Sequence, residues 1–346
     1  MTAHIQSAMR TSRPGSRNVV LLLGLGAAAA ALVLCLLWSI TLGAADISPQ
    51  TVYEALFEFD DTEFSHLIIQ TVRLPRVLAG ALVGASLAVA GALMQGLTRN
   101  PLADSGILGI NSGAAFAVVL ATFLLGSLPL SSYAVYGFIG AGVAAAIVYG
   151  LGSMGRGGAT PLKLTLAGVI LTSFLSAITT AILITDKETL DRIRFWTAGS
   201  LAGRDMALLG QTCLYMFAGL AIAMVIARQI TTLSLGEDIA RGLGQNTLWI
   251  RAIAAVAVIL LAGGSVALAG PIGFVGLIIP HVVRFFIGVD YRWIIPYAAL
   301  FGAMLVTISD VGARIVIRPQ ELPVGVMMAV VGVPFFIWLA RWKVKR

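Results

Sequence analysis

The run VVLLLGLGAAAAALVLCLLWSITL, residues 19–42, holds no charged side chain. As an α-helix it would reach about 36 Å, past the ~30 Å hydrocarbon core of a bilayer. Lipid offers a backbone no hydrogen-bonding partner, so such a run is helical or part of a closed barrel. The apolar runs here are continuous rather than alternating, which argues against a barrel. Comparable segments recur at 75–97, 105–126, 131–152, 164–185, 206–227, 249–270, 271–287, 293–313 and 323–340. Only 11% of the chain is charged and 58% is hydrophobic. A soluble domain carries about 25% charged residues, and this chain has too little polar surface to cover itself in water. The expected fold class is therefore all-α, a polytopic membrane protein with ten transmembrane helices. The expected organisation is an N-terminal tail over 1–18, one membrane domain over 19–340 and a basic tail over 341–346.

Residues 19–42 are too long for the 7–15-residue apolar core of a cleaved leader, so they read as a retained span. Orientation follows from the basic residues. With the N-terminus inside and ten crossings, the inner segments hold Arg10, Arg13, Arg17, Arg99, Arg156, Lys163, Arg228, Arg241, Arg251, Arg284, Arg292, Arg341, Lys343, Lys345 and Arg346, most of the 23 basic residues. Lys/Arg excess marks the cytoplasmic side, which puts both termini there. The same reading explains the net charge of +7 without a nucleic-acid partner. Cys35 and Cys213 lie within apolar runs and read as small hydrophobes, and His4, His66 and His281 are scattered, with no metal-ligand spacing.

Against this apolar background three stretches stand out. LSLGEDIARGLGQN, residues 233–246, falls on the inner side between spans six and seven. In a helix Glu237 and Arg241 would pair at i,i+4, while Leu235, Ile239 and Leu243 would share one side. The expectation is a compact amphipathic element that docks in a partner's groove, covering about 231–248. Secondly, Arg73 and Arg76 open a span at the outer face, and Arg314 lies near the outer end of another. Basic residues there oppose the usual bias; snorkelling to lipid phosphates or pairing with carboxylates of an external protein would explain them. Thirdly, TRNPLADSG interrupts the chain at Pro101 before the next span.

Together these stretches resemble the FecCD-type permeases, the membrane subunits of ATP-binding-cassette importers for iron–siderophore complexes, haem and vitamin B12. The matching segments are RLPRVLAGALVGASLAVAGALMQGLTRNPLADSGILGINSGA, LTLAGVIL, RFWTAGSL, LGEDIARGLG, VALAGPIGFVGLIIPHVVR and ELPVGVMMAVVGVPFFIWL, in order from Arg73 almost to the C-terminus. The resemblance implies the ten-helix fold of the vitamin B12 permease, in the cytoplasmic (inner) membrane of a bacterium. It implies a second permease subunit, two ATPase subunits below and a periplasmic or lipoprotein substrate-binding protein above. By the same resemblance Gly236, Glu237, Ala240, Arg241, Gly242 and Gly244 form the element that couples to the ATPase. Arg73, Arg76 and Arg314 match docking positions for the binding protein. Asn100, Pro101, Leu102 and Thr160 match the cytoplasmic gate. The cargo is expected to be a ferric siderophore, with haem or cobalamin as alternatives.

The chain lacks a G-x-x-x-x-G-K-[ST] loop to cradle nucleotide phosphates. ATP and Mg²⁺ are accordingly expected on the partner ATPase, with no cofactor or catalytic residue in this chain. A secondary transporter driven by an ion gradient would want ionisable groups deep in the spans. The nearest candidate, Asp310, is expected close to an outer end. An intramembrane enzyme would need a nucleophile–base pair or a metal cluster, and the spans show neither.

Overall fold

The computed structural model describes residues 14–43, 47–154 and 160–344. Arg10, Arg13, Arg156, Lys345 and Arg346, counted in the orientation argument, lie outside the described residues. In chain order the helices are α1 (Pro14–Thr41), α2 (Pro49–Phe57), α3 (Phe64–Ile68), α4 (Leu74–Thr98), α5 (Ile110–Leu125), α6 (Leu130–Ser153), α7 (Pro161–Thr185) and α8 (Lys187–Thr197). They continue as α9 (Met206–Val225), α10 (Ala227–Leu235), α11 (Glu237–Gly242), α12 (Thr247–Val258), α13 (Gly264–Ala269), α14 (Val275–Ile287), α15 (Tyr291–Ile315) and α16 (Val324–Val344). A π turn over Ile69–Arg73 fuses α3 to α4, and another over Ile259–Gly263 fuses α12 to α13. No strand occurs among the described residues.

Seven helical stretches are long and apolar enough to cross a membrane: Arg17–Thr41, Phe64–Thr98, Ser131–Ser153, Leu162–Thr185, Met206–Val225, Thr247–Ala269 and Tyr291–Ile315. The other three expected spans are shorter apolar helices, Ile110–Leu125, Val275–Ile287 and Val324–Trp338. Two expected boundaries move for a visible reason. The segment expected to span from 105 first makes a 3₁₀ turn, Ser105–Leu108, and breaks at Gly109, where φ is 69°. The segment expected from 271 is non-helical until Val275, because Gly270 (φ 74°) and Phe274 (φ 70°) are both left-handed. At ~1.5 Å per residue α14 is then about 20 Å long. Irregular backbone at membrane depth persists only where protein or a cavity satisfies it. Just before the irregular stretch the Ser200 amide donates to the Ala269 carbonyl at 2.8 Å.

α4 is the axis of the bundle and is mostly buried, packing against α15, α14, α9 and α13. Its sequence GALVGASLAVAGALMQG explains why, since small side chains let helix backbones approach closely in lipid. A Cβ on Gly84 would sit 2.2 Å from the Gly302 carbonyl oxygen, and one on Gly91 2.1 Å from that of Gly276. These are backbone atoms and cannot swing aside. Gly84→Val is therefore expected to cost at least the ~1–3 kcal/mol typical of overpacking. It should be read as loss of the monodisperse peak in detergent size exclusion and a lower Tm. α1 and α7 are the opposite case: almost none of their spanning windows is fully buried in the single chain.

Candidate functional site

The polar stretch between the sixth and seventh expected spans folds as two short helices set against the bundle. α9 ends at Val225 and α10 begins at Ala227, four residues before the expected start of the element, because Ile226 already breaks the helix. Gly236 separates α10 from α11 with φ 140° and ψ 148°, a conformation that needs glycine. Gly244 is also left-handed, at φ 77°, and closes the far side of α11. Between them Glu237 is the fastening point. It accepts from Arg241 Nη2 at 2.7 Å one turn on, from Arg251 Nη2 of α12 at 2.7 Å, and from the Thr247 hydroxyl at 3.4 Å. Burial pushes the Glu237 carboxyl upward, but Arg251 and then Arg241 outweigh it and hold it below the usual carboxylate range. Ala240 is fully buried against the bundle, while Gly242 and Gly244 are exposed. Asn246 caps α12 by accepting from the Trp249 amide at 3.2 Å.

The outward side of this rigid element is apolar. Leu235, Ile239 and Leu243 are 60%, 51% and 71% exposed, and Leu248 and Trp249 beside them are exposed as well. The sequence placed the three aliphatic residues on one side; the structure shows that this side does not fold back on the core. An exposed apolar patch on a fixed support, rimmed by Asp238 and Arg241, is the physical signature of a protein-binding surface.

The loop that interrupts the second and third expected spans begins with Arg99 in the left-handed region at φ 50°. Asn100 Oδ1 accepts from the Leu102 amide at 3.0 Å, and Asn100, Pro101 and Leu102 are exposed. Asp104 Oδ1 accepts from the Ser105 amide at 2.8 Å and starts the 3₁₀ turn. Thr160 stands apart from this loop in the chain and caps α7 by accepting from the Lys163 amide at 3.4 Å. The loop reaches α7 through the 3₁₀ turn instead: the Ile107 carbonyl oxygen lies where a Cβ on Gly168 would fall.

The three arginines expected at the outer face are buried within this chain. Arg73, Arg76 and Arg314 are only 7%, 7% and 3% exposed. Arg76 Nε and Nη2 grip Asp310 at 3.0 and 2.9 Å, and its Nη1 reaches Glu321 at 2.7 Å. Arg314 Nε lies 3.1 Å from Asp310 Oδ2, the oxygen that Arg76 Nε also bonds, its Nη1 donates to the Leu42 carbonyl at 2.6 Å, and its Nη2 donates to Ser39 Oγ at 2.7 Å. Arg73 donates to the carbonyls of Ile40 and Thr41 at 2.7 and 3.0 Å. The three guanidinium groups tie together the C-terminal ends of α1 and α15 and the N-terminal end of α4. A buried arginine is stable only with such partners, and here this chain supplies them. Sequence reasoning missed Glu321 and Arg251 as partners because helical periodicity sees neither a contact 245 positions apart nor one that closes across the turn at Gly244.

Comparison with known proteins agrees with this architecture. The model of the FecCD transport family matches residues 31–342. The chain is 48% identical over 333 residues to the iron(3+)-hydroxamate import system permease protein FhuB of Bacillus subtilis, covering 96% of this chain and 85% of that one. It is 39% identical over 314 residues to the ferric enterobactin transport system permease protein FepD of Escherichia coli, covering 91% and 93%. Among solved structures it superposes on a metal-chelate type ABC transporter in an inward-facing conformation with a TM-score of 0.80 at 29% identity, covering 92% of this chain and 98% of that one. The chain is a multi-pass membrane protein and belongs to the FecCD transport family.

Proposed function

We propose that this chain is the permease subunit of an importer that carries a ferric siderophore across the inner membrane, powered by separate ATPase subunits that grip the α10–α11 element. The observation that carries this reading is the exposed apolar side of Leu235, Ile239 and Leu243 on a support fastened through Glu237. A short helix pair held by two ion pairs and a buried alanine moves as one body, so a push on its outer side reaches the bundle undissipated. The siderophore assignment rests on relatives named for hydroxamate and enterobactin import. The hemin permease of Yersinia pestis, at 37% identity, marks haem as the runner-up.

In this reading both termini are cytoplasmic, and a second permease, identical or paralogous, covers exposed faces of this one. A substrate-binding protein delivers cargo at the outer side. The arginines expected to meet it, Arg73, Arg76 and Arg314, instead hold the outer helix ends in place beneath its landing surface. ATP and Mg²⁺ are bound by the partner, and this chain hydrolyses nothing. The loop at Asn100, Pro101 and Leu102 closes the inner end of the path, with Thr160 fixing the start of α7 beside it.

The test is uptake of a radioiron-labelled ferric hydroxamate into liposomes holding the permeases and ATPase, with binding protein supplied outside. Uptake should require internal ATP and survive collapse of proton and sodium gradients. Uptake that follows an ion gradient without ATP would establish the secondary-transporter reading, and competition by haem but not by the siderophore would reassign the cargo.

A further inference from the structure

A continuous polar route runs from the coupling helix to the gate loop through residues that the function above leaves unused. On α10, Thr231 Oγ1 accepts from the Tyr291 amide at 2.9 Å and lies 3.4 Å from Asp290 Oδ1, which fixes the coupling helix to the start of α15. The Tyr291 hydroxyl accepts from Arg284 Nη2 of α14 at 2.9 Å. Arg284 Nη1 donates to Gln95 Oε1 of α4. Gln95 Nε2 donates in turn to the Gly276 carbonyl at 3.0 Å, in the first turn of α14. A Cβ on Gly276 would fall 2.3 Å from Asp104 Oδ1, so the acid that starts the 3₁₀ turn of the gate loop rests directly on that backbone. Gln95 and Tyr291 are both buried.

We propose that Gln95, Arg284 and Tyr291 are positioning residues that carry displacement of the coupling helix to the gate loop. Two features favour transmission over simple packing. At the α4–α14 crossing two glycine backbones meet, Gly91 against Gly276. Such a contact is smooth, so the Gln95 bond to Gly276 sets the register of the two helices there. Arg284, in addition, has no carboxylate within ion-pair distance among the described residues. Its charge is held by two neutral acceptors on different helices, which orders α4, α14 and α15 around one group. A scaffold alone would be served better by an apolar side chain here, since even a half-buried charge such as Arg284 is costly to desolvate.

This inference rests on the permease reading, and its test separates the two. Leu102→Cys is introduced in a chain whose Cys35 and Cys213 are replaced by serine, and maleimide labelling is followed in the assembled complex without nucleotide and after ATP–vanadate trapping. The unmodified route should give a labelling rate that depends on nucleotide. Tyr291→Phe, which keeps the Thr231 bond but loses the hydroxyl, and Gln95→Leu should each cut that dependence about fivefold, the low end of measured coupling between sites. ATP hydrolysis and Tm should stay near those of the parent. Gln95→Glu keeps a partner for Arg284 but cannot donate to Gly276, and should decouple like Gln95→Leu. The double variant Tyr291→Phe with Gln95→Leu should be no worse than the stronger single, since both interrupt one route. Unchanged nucleotide dependence in the single variants, multiplicative losses in the double, or a fall in Tm that accounts for the effect would overturn the route while leaving the permease reading intact. Labelling that ignores nucleotide in the parent complex would remove the permease reading and the route with it.

Discussion

Replacing Asp310 with alanine should unfold the end of the bundle where α1, α4 and α15 meet. Its carboxylate lies between Arg76, at 2.9 Å, and Arg314, at 3.1 Å, and both arginines are buried. Removing it leaves two guanidinium groups facing one another, with Glu321 reaching only Arg76. Breaking a buried ion pair from one side costs about 3–5 kcal/mol, because the orphaned charge stays out of water. Arg314 also holds carbonyl and hydroxyl groups at the end of α1, so the loss should spread to the α1 contact through Ser39 and Leu42. The expected result is a sharp drop in detergent-extracted folded protein and in Tm, with Asp310→Asn milder because its oxygen still accepts. An Asp310→Ala chain that folds normally and binds its partner protein more tightly would show that the arginines are held ready for docking rather than for scaffolding. The same geometry separates this residue from an ion-coupling role: a carboxylate clamped by two guanidinium groups has its oxygens occupied.

Much of this was legible before any coordinates. Apolar run length located α1, α4, α6, α7, α9 and α15 within a few residues, because lipid forces each such run to satisfy its own backbone. The interruption between α9 and α12 was legible for a related reason: Glu237, Asp238 and Arg241 are too polar for a span. Interruptions were harder to read. The left-handed Phe274 is invisible to hydropathy, so the 271–287 run hid a non-helical turn before Val275. Burial of charge was harder still. Arg76 and Asp310 are 234 positions apart, and only the α4–α15 crossing makes them partners. Without that crossing two arginines at a membrane face read as surface. Gln95 went unremarked for the same reason: a lone amide in an apolar helix has no meaning until the Gly276 carbonyl and Arg284 are beside it.

The Ile239→Asp, Leu243→Asp variant should fold and insert yet fail to hold its ATPase. Both side chains are more than half exposed, so the folded permease loses almost no packing when they change. In the complex each would cover roughly 1.5–3 kcal/mol worth of apolar surface if fully enclosed. Losing about 3 kcal/mol corresponds to a weakening of roughly 100-fold at 1.4 kcal/mol per tenfold, before any cost of enclosing two carboxylates. The measurement is ATPase co-purification and titrated binding in detergent, with size exclusion and Tm of the permease alone as the control. Glu237→Ala should act differently. It frees Arg251 and Arg241 without touching the apolar side, so the element loses its fastening to α12 rather than its contact surface. Binding should then weaken less than uptake, because a loosely held helix pair can still be gripped but no longer passes the push on. If both changes weakened binding equally, the ion pairs would belong to the interface itself. If neither did, the ATPase would have to grip the permease elsewhere on its inner face.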